Sequence, residues 1–206
     1  MSTMTELIDK YGYDEPIILR DVSLSGISDA SVRQTFSRMT KLGKLKRYEQ
    51  GIYYIPSEDA SRRCLSAKKV YERKYIADKD SVYGFYSGQA FLNEMGLTSQ
   101  VPDAIEIVTN RQKSRMRRIE NGNGDQDIII RKTRVKISSA NAKTLQLLEL
   151  MNSLDMDELT EEERERLYSY IENQKFKKKD VCKYISKFPV KAARTLIESG
   201  AFIGLV

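Results

Sequence analysis

The stretch from Ser28 to Pro56, SDASVRQTFSRMTKLGKLKRYEQGIYYIP, leaves a chain few ways to fold. Val32, Phe36, Met39 and Leu42 recur at helical spacing and form one apolar stripe. Arg33, Gln34, Ser37, Arg38 and Lys41 then fall on the opposite face. Ser28 stands where a helix N-cap is needed, because its hydroxyl can accept from an otherwise unsatisfied backbone N–H. Gly43 stands where the helix must stop, because glycine tolerates the left-handed cap conformation. Next come LKRY, a turn at Glu49–Gln50–Gly51, and IYYIP. Two short β-prone runs around a Gly-containing turn read as a hairpin. A helix with a polar, basic outer face that feeds directly into a basic hairpin is the pattern of a winged helix.

The charge of this stretch is local. Between Ser31 and Tyr48 stand Arg33, Arg38, Lys41, Lys44, Lys46 and Arg47, with no Asp or Glu, whereas Asp9, Asp14, Glu15, Asp21 and Asp29 flank them. Such a patch attracts a polyanion, and duplex DNA is the obvious one. A solvated helix face is the competing reading for any Lys/Arg-rich helix. The hairpin, the missing acids and the interleaved Gln34, Ser37 and Tyr48 favour DNA. The candidate contacts are Ser31, Arg33, Gln34, Ser37, Arg38, Lys41, Lys44, Lys46, Arg47 and Tyr48. A helix fits the roughly 12 Å major groove, where Gln34 suits adenine and Arg33 and Arg38 suit guanine or a phosphate. Ser31 and Ser37 suit phosphate or base, and the hairpin residues suit the DNA backbone or minor groove. Phe36, Ile52 and Tyr54 are expected in the core rather than stacked on bases.

The rest of the composition narrows the chemistry by subtraction. The 206 residues suit one or two domains, are 31% charged and 40% hydrophobic, and carry a formal net charge of +6. No apolar run approaches the roughly 18 residues of a membrane span. MSTMTELIDKYGYDE has neither a basic start nor an apolar h-region, which argues against a signal peptide. Cys64 and Cys182 are far apart and make no disulfide framework, so a cytoplasmic protein is expected. There is no histidine. That excludes Ser–His–Asp and Cys–His nucleophile systems and imidazole-based zinc sites on this chain alone. Asp125 and Asp127 after Gly122 and Gly124 raise metal-dependent nucleotidyl transfer as a third reading, in which the protein is an enzyme. The acids touch the turn and Ile128–Ile130 follow them, so a hairpin turn is the simpler account. No phosphate-cradling GxxxxGK[ST] or GxGxxG occurs. No catalytic residue, metal ligand or cofactor is therefore assigned, and no enzyme is expected.

Taken in order, Thr3–Tyr11 reads as a short helix with Met4, Leu7, Ile8 and Tyr11 on one side, ended by Gly12. Ile17–Leu24 reads as a short strand continuing into a short helix, with LRDVSL the first helix of a helix–turn–helix. Pro56–Ser57–Glu58–Asp59 marks a boundary. The expected domains are thus 1–57, a winged helix-turn-helix, and 58–206, a mixed α/β domain with helices at its C-terminal end. The fold class is α+β. Arg62–Ala77 reads as a second basic helix, either beside the DNA backbone or a solvated linker. Strands are expected at Val82–Tyr86, Ala104–Thr109, Met116–Ile119, Gln126–Arg131 and Thr133–Ile137, with a turn at Asn121–Gly124. Helices are expected at Ser87–Met95, Asn141–Leu154, from the capping box Thr160–Glu163 onward, and at Lys177–Phe188 and Val190–Ser199. The acid-free run Arg111, Lys113, Arg115, Arg117, Arg118 is either an added nucleic-acid or partner surface or a solvated loop.

Two segments carry a resemblance. VRQTFSRMTKLGKLKRYEQGIYYIP resembles the winged-helix head of the AbiEi-type antitoxins, and YSGQAFLNEMGLTSQVPDAIEIVTN is similar to the segment that opens their second domain. These are the antitoxin halves of bacterial toxin–antitoxin and abortive-infection systems. The resemblance implies a transcriptional autorepressor whose head binds inverted repeats in its own promoter, an arrangement that admits a dimer on DNA. It also implies an antitoxin that counteracts a nucleotidyltransferase-like toxin, which in that family need not involve direct contact. The alternative is a winged-helix regulator with an unrelated sensor or oligomerisation domain.

Overall fold

Why the first third folds as it does is visible in its buried side chains. The computed structural model describes residues 3–26, 28–57, 65–120 and 126–205. The chain is α+β and divides into two compact units, Met1–Lys74 and Tyr75–Val206.

In the first unit, α1 (Thr3–Tyr11) buries Leu7 and Tyr11 and ends at Gly12, whose φ is +82°. Strand β1 (Ile17–Ile18) follows, then one turn of 3-10 helix at Leu19–Asp21. The helix expected from LRDVSL is therefore reduced to that single turn. Beyond it the backbone is claimed by α1: Lys10 Nζ donates to the Ser23 carbonyl, and Glu6 Oε1 accepts from Ser25 N–H. Val22 and Leu24, two residues apart, are both buried, which suits an extended chain and not a helix.

Next comes α2 (Asp29–Lys41), which buries Val32, Phe36 and Met39. Ser28 caps it, accepting from Ser31 N–H. Gly43, with φ of +72°, donates to Thr40 O while Lys44 N–H reaches Met39 O, a Schellman end that satisfies two last carbonyls. Leu42, expected on the buried stripe, is 64% exposed instead, because the helix has already ended at Lys41 and the stripe no longer continues. Strands β2 (Lys46–Glu49) and β3 (Ile52–Tyr54) form the hairpin. Glu49 belongs to β2 and not to the turn, which is Gln50–Gly51. The register slips between Arg47 and Glu49, so Tyr48 is the bulged residue. The three strands run antiparallel in the order β1-β3-β2.

Helix α3 (Ala67–Tyr71) runs into a π-helical turn at Glu72–Ile76. Leu65 and Val70 pack on Ile52 and Tyr54, so the first unit continues past residue 57. Arg62, Arg63 and Cys64 lie outside the described residues.

The second unit holds a mixed sheet in the order β4-β5-β7-β6, built from β4 (Gly84–Ser87), β5 (Ala104–Thr109), β6 (Met116–Ile119) and β7 (Asp127–Lys132). The β5–β7 pair is parallel and the others antiparallel, which leaves β6 at one edge. Thr133–Ile137 does not extend the sheet. The Asn110 side chain takes the place of a partner strand there, with Oδ1 accepting from Ile137 N–H and Nδ2 donating to Ile137 O, each across 2.8 Å. Helix α4 (Gly88–Glu94) follows β4. Helix α5 (Ala142–Ser153) is buried almost all round and packs with α6 (Glu161–Gln174), α7 (Lys178–Ile185) and α8 (Val190–Glu198) around Leu147, Leu148, Met151, Leu167 and Ile171. Thr160 and Glu163 form the expected capping box. No helix among the described residues is long and apolar enough to cross a membrane. The expected turn at Asn121–Gly124, and Asp125 with it, lies outside the described residues.

Candidate nucleic-acid interface

On α2, the face opposite Val32, Phe36 and Met39 carries Ser31, Arg33, Gln34, Ser37, Arg38 and Lys41, and all six are exposed. The cause is the helical repeat: with three apolar positions anchored in the core, residues one and two steps further round must face outward. Phe36 is fully buried and meets the edge of Tyr53 at 5.2 Å between ring centroids, which fixes the rotation of α2 against β3. Lys44 lies in the connection after Gly43, and Lys46, Arg47 and Tyr48 stand on β2; these four are exposed as well. The fold thus gathers all ten sequence-derived residues onto one helix, the hairpin strand that follows it and the connection between them.

Electrostatically this face is unneutralised. Among the described residues, Arg33, Arg38, Lys41, Lys44 and Lys46 make no ion pair. Arg47 Nε donates to the carbonyl of Glu49, and the Glu49 carboxylate is turned to Lys74. Ser31 Oγ is 3.1 Å from Ser28 Oγ and so belongs partly to the helix cap. An exposed, desolvation-free row of cations has no structural partner to give up before it meets phosphate.

A groove of about 690 Å³ opens within the same unit, between the 3-10 turn, the start of α2 and the hairpin. Arg20, Arg33, Arg47 and Lys74 line it, with Asp29 the acid among them. Arg20 was not among the candidates. Its neighbours read as a helix in the sequence, and nothing local places the 3-10 turn beside the hairpin tip.

The other basic segments are partly consumed by the fold. Lys69 pairs with Glu15, Lys74 pairs with Glu49, and the Arg73 guanidinium sits 5.9 Å from the Tyr11 ring centroid. In the second unit Arg111 stacks over Tyr83 at 3.6 Å and faces Asp78. Arg118 is held by Asp127 at 2.8 Å and by Asp103 at 3.4 Å. Asp127, raised above as a metal ligand, is therefore engaged by a guanidinium. Lys113, Arg115 and Arg117 stay exposed, and among the described residues they make no ion pair.

A second charged cluster is buried in the second unit. Glu149, 3% exposed at its side chain, accepts from Arg131 Nη2 at 3.0 Å and faces Arg134 Nε at 3.4 Å. Arg131 Nη2 also donates to Ser87 Oγ at 3.1 Å. Ser87 therefore spends its hydroxyl on Arg131 rather than capping α4. Arg131 Nε lies 2.8 Å from Glu106 Oε2, a close ion pair whose N–H is not aimed at the oxygen. Burial pushes the Glu106 carboxyl above its usual range, and the nearby Arg131 charge only partly counters that. Glu106, Arg131 and Glu149 come from β5, β7 and α5, so no sequence spacing links them. The cluster is a closed internal ion-pair network rather than an open site.

The sequence profile of a protein family described as "Family of unknown function (DUF6088)" matches residues 8–180. No curated protein matches the chain.

Proposed function

The chain belongs to the DUF6088 family of unknown function, and from that premise we propose that its first unit is a winged-helix DNA-binding head. In this reading α2 is the recognition helix and the β2–β3 hairpin is the wing. The first helix of the helix–turn–helix is shortened to the 3-10 turn at Leu19–Asp21. The element order α1, β1, turn, α2, β2, β3 and the sheet order β1-β3-β2 support it. The observation that carries it is the exposed face of Arg33, Arg38, Lys41, Lys44 and Lys46, which no acid of the described residues neutralises. Phosphate contacts from such a row would position the protein, and the exposed Gln34 and Arg38 of α2 are the side chains suited to base edges.

The resemblance to the AbiEi-type head extends this reading to a transcriptional autorepressor on inverted repeats in its own promoter. The antitoxin role against a nucleotidyltransferase-like toxin rests on the two AbiEi-like segments alone. A regulator with an unrelated sensor or oligomerisation unit is the competing reading, and the separate core of residues 75–206 suits either. An electrophoretic shift assay on the DNA upstream of its own reading frame tests the first claim. Binding with log K falling by about 0.9 per decade of salt for each neutralised phosphate is expected. A flat salt response, or no shift at any protein concentration, overturns it. Co-expression with an adjacent nucleotidyltransferase-like gene tests the second: rescue of growth is expected, and unchanged toxicity overturns the antitoxin role.

A further inference from the structure

The groove beside α2 goes beyond the helix-and-hairpin set. We propose that Arg20, Arg33 and Arg47 together seat one phosphodiester strand of duplex DNA in this groove, with Arg20 a backbone contact contributed by the 3-10 turn. This rests on the DNA-binding reading above and names which groups hold the strand.

Three observations carry it. First, Arg20, Arg33 and Arg47 come from three separate elements, the 3-10 turn, α2 and β2, yet line one concavity. Second, that arrangement is held by the backbone. Leu19 N–H donates to Gly51 O across 2.8 Å, and Ile18 pairs with Ile52, so the residue before Arg20 is tied to the hairpin tip. Gly51, with φ of +80°, makes the tight turn that offers this carbonyl. Third, the charge around the groove is predominantly positive: Arg20, Arg33, Arg47 and Lys74 line it, against the acid Asp29.

A chain of phosphates fits that chemistry, because a guanidinium fork matches phosphate oxygens and stays charged at every accessible pH. Arg20 gives up little to engage. Its one ion pair among the described residues, to Asp21 at 3.5 Å, is solvent-exposed on the arginine side, with 60% of that side chain uncovered.

The test uses the full chain and two labelled duplexes, one from the DNA upstream of its reading frame and one of the same composition scrambled. Affinity is measured over a range of salt for wild type, Arg20→Gln, Arg20→Lys and the exposed second-unit control Lys191→Gln. Arg20→Gln should lose about eightfold in affinity near 0.1 M salt on both duplexes alike, and the salt slope should fall by about one. Arg20→Lys should restore most of the slope, since a point charge still neutralises a phosphate, and the control should match wild type. Wild-type binding with an unaltered Arg20→Gln affinity and slope overturns the strand seat while leaving the DNA reading intact. A loss confined to the upstream duplex overturns it too, because Arg20 would then be reading a base. Failure of wild type to bind either duplex overturns both. Unchanged thermal melting of Arg20→Gln separates lost contact from lost fold.

Discussion

A Cβ placed on Gly88 would stand 1.9 Å from Oε1 of Glu106. Gly88 also has φ of +65°, where L side chains are strained. The glycine at the β4–α4 junction is thus what lets a half-buried carboxylate sit against the backbone while Arg131 holds its other oxygen. Gly88→Ala is expected to cost about 2–3 kcal/mol, from positive φ plus displacement of Glu106. Urea unfolding followed by circular dichroism checks it. A loss under half a kilocalorie would mean Glu106 swings away freely.

Glu106 itself makes stability depend on pH. Burial raises its carboxyl above the ordinary 4.5. The folded protein then binds that proton more tightly than the unfolded chain. The contribution is fully present below the unfolded pKa and is lost as pH rises through the higher folded value. The stability of wild type minus that of Glu106→Gln should therefore decline as pH rises from below 4.5 towards neutrality. Parallel denaturant titrations of both proteins measure it, and a pH-independent difference would remove the burial argument.

Phe36 is the anchor that turns the basic face outward. It is fully buried against Tyr53. Phe36→Ala should cost about 3–5 kcal/mol, and Phe36→Leu much less. Because the first unit has its own core, the loss should appear in the melting of that unit and take DNA binding with it.

Arg38→Ala gives the opposite pattern. The side chain is exposed and, among the described residues, makes no ion pair, so thermal stability should change by less than about 0.5 kcal/mol. Affinity for the upstream duplex should fall by about 1–3 kcal/mol if Arg38 reads a base, with weaker discrimination against a mutated site. Gel-shift midpoints on matched and mutated duplexes are the measurement, and unchanged midpoints would take Arg38 out of the interface.

Capping gives a purely local expectation. Thr160 Oγ1 accepts from Glu163 N–H while Glu163 Oε2 accepts from Thr160 N–H. Thr160→Ala should cost about 1 kcal/mol, read from the urea midpoint of the second unit, with DNA affinity unchanged. A drop in DNA affinity would mean that α6 reaches the interface.

Local rules recovered most of the first unit and less of the second. Ser28, Gly43 and the Val32–Phe36–Met39 stripe were legible because a cap, a stop and a period each need only neighbouring residues. Leu42 misled because it keeps the period one step beyond the last helical turn. LRDVSL carries helical composition, but Lys10 and Glu6, thirteen and nineteen residues away from their partners, hold the backbone extended. Thr133–Ile137 alternates like a strand, yet Val135 bonds locally to the Thr133 hydroxyl and Ile137 bonds to the Asn110 amide, a tertiary contact across 27 residues. The ten candidate contacts were legible as one patch for the same local reason. Arg20 and the Glu106–Arg131–Glu149 network were not, because each is assembled only when separate elements dock.

The edge strand β6 has a consequence for how the protein behaves in company. Its residues Met116 to Arg118 are exposed, and Arg115 and Arg117 carry charge that no carboxylate among the described residues offsets. Two molecules approaching rim to rim would set like-charged arginines roughly 4.8 Å apart, the spacing at which sheets would otherwise grow into one another. That repulsion acts as a brake on fibrillar stacking, and concentrated salt or a bound polyanion would release it.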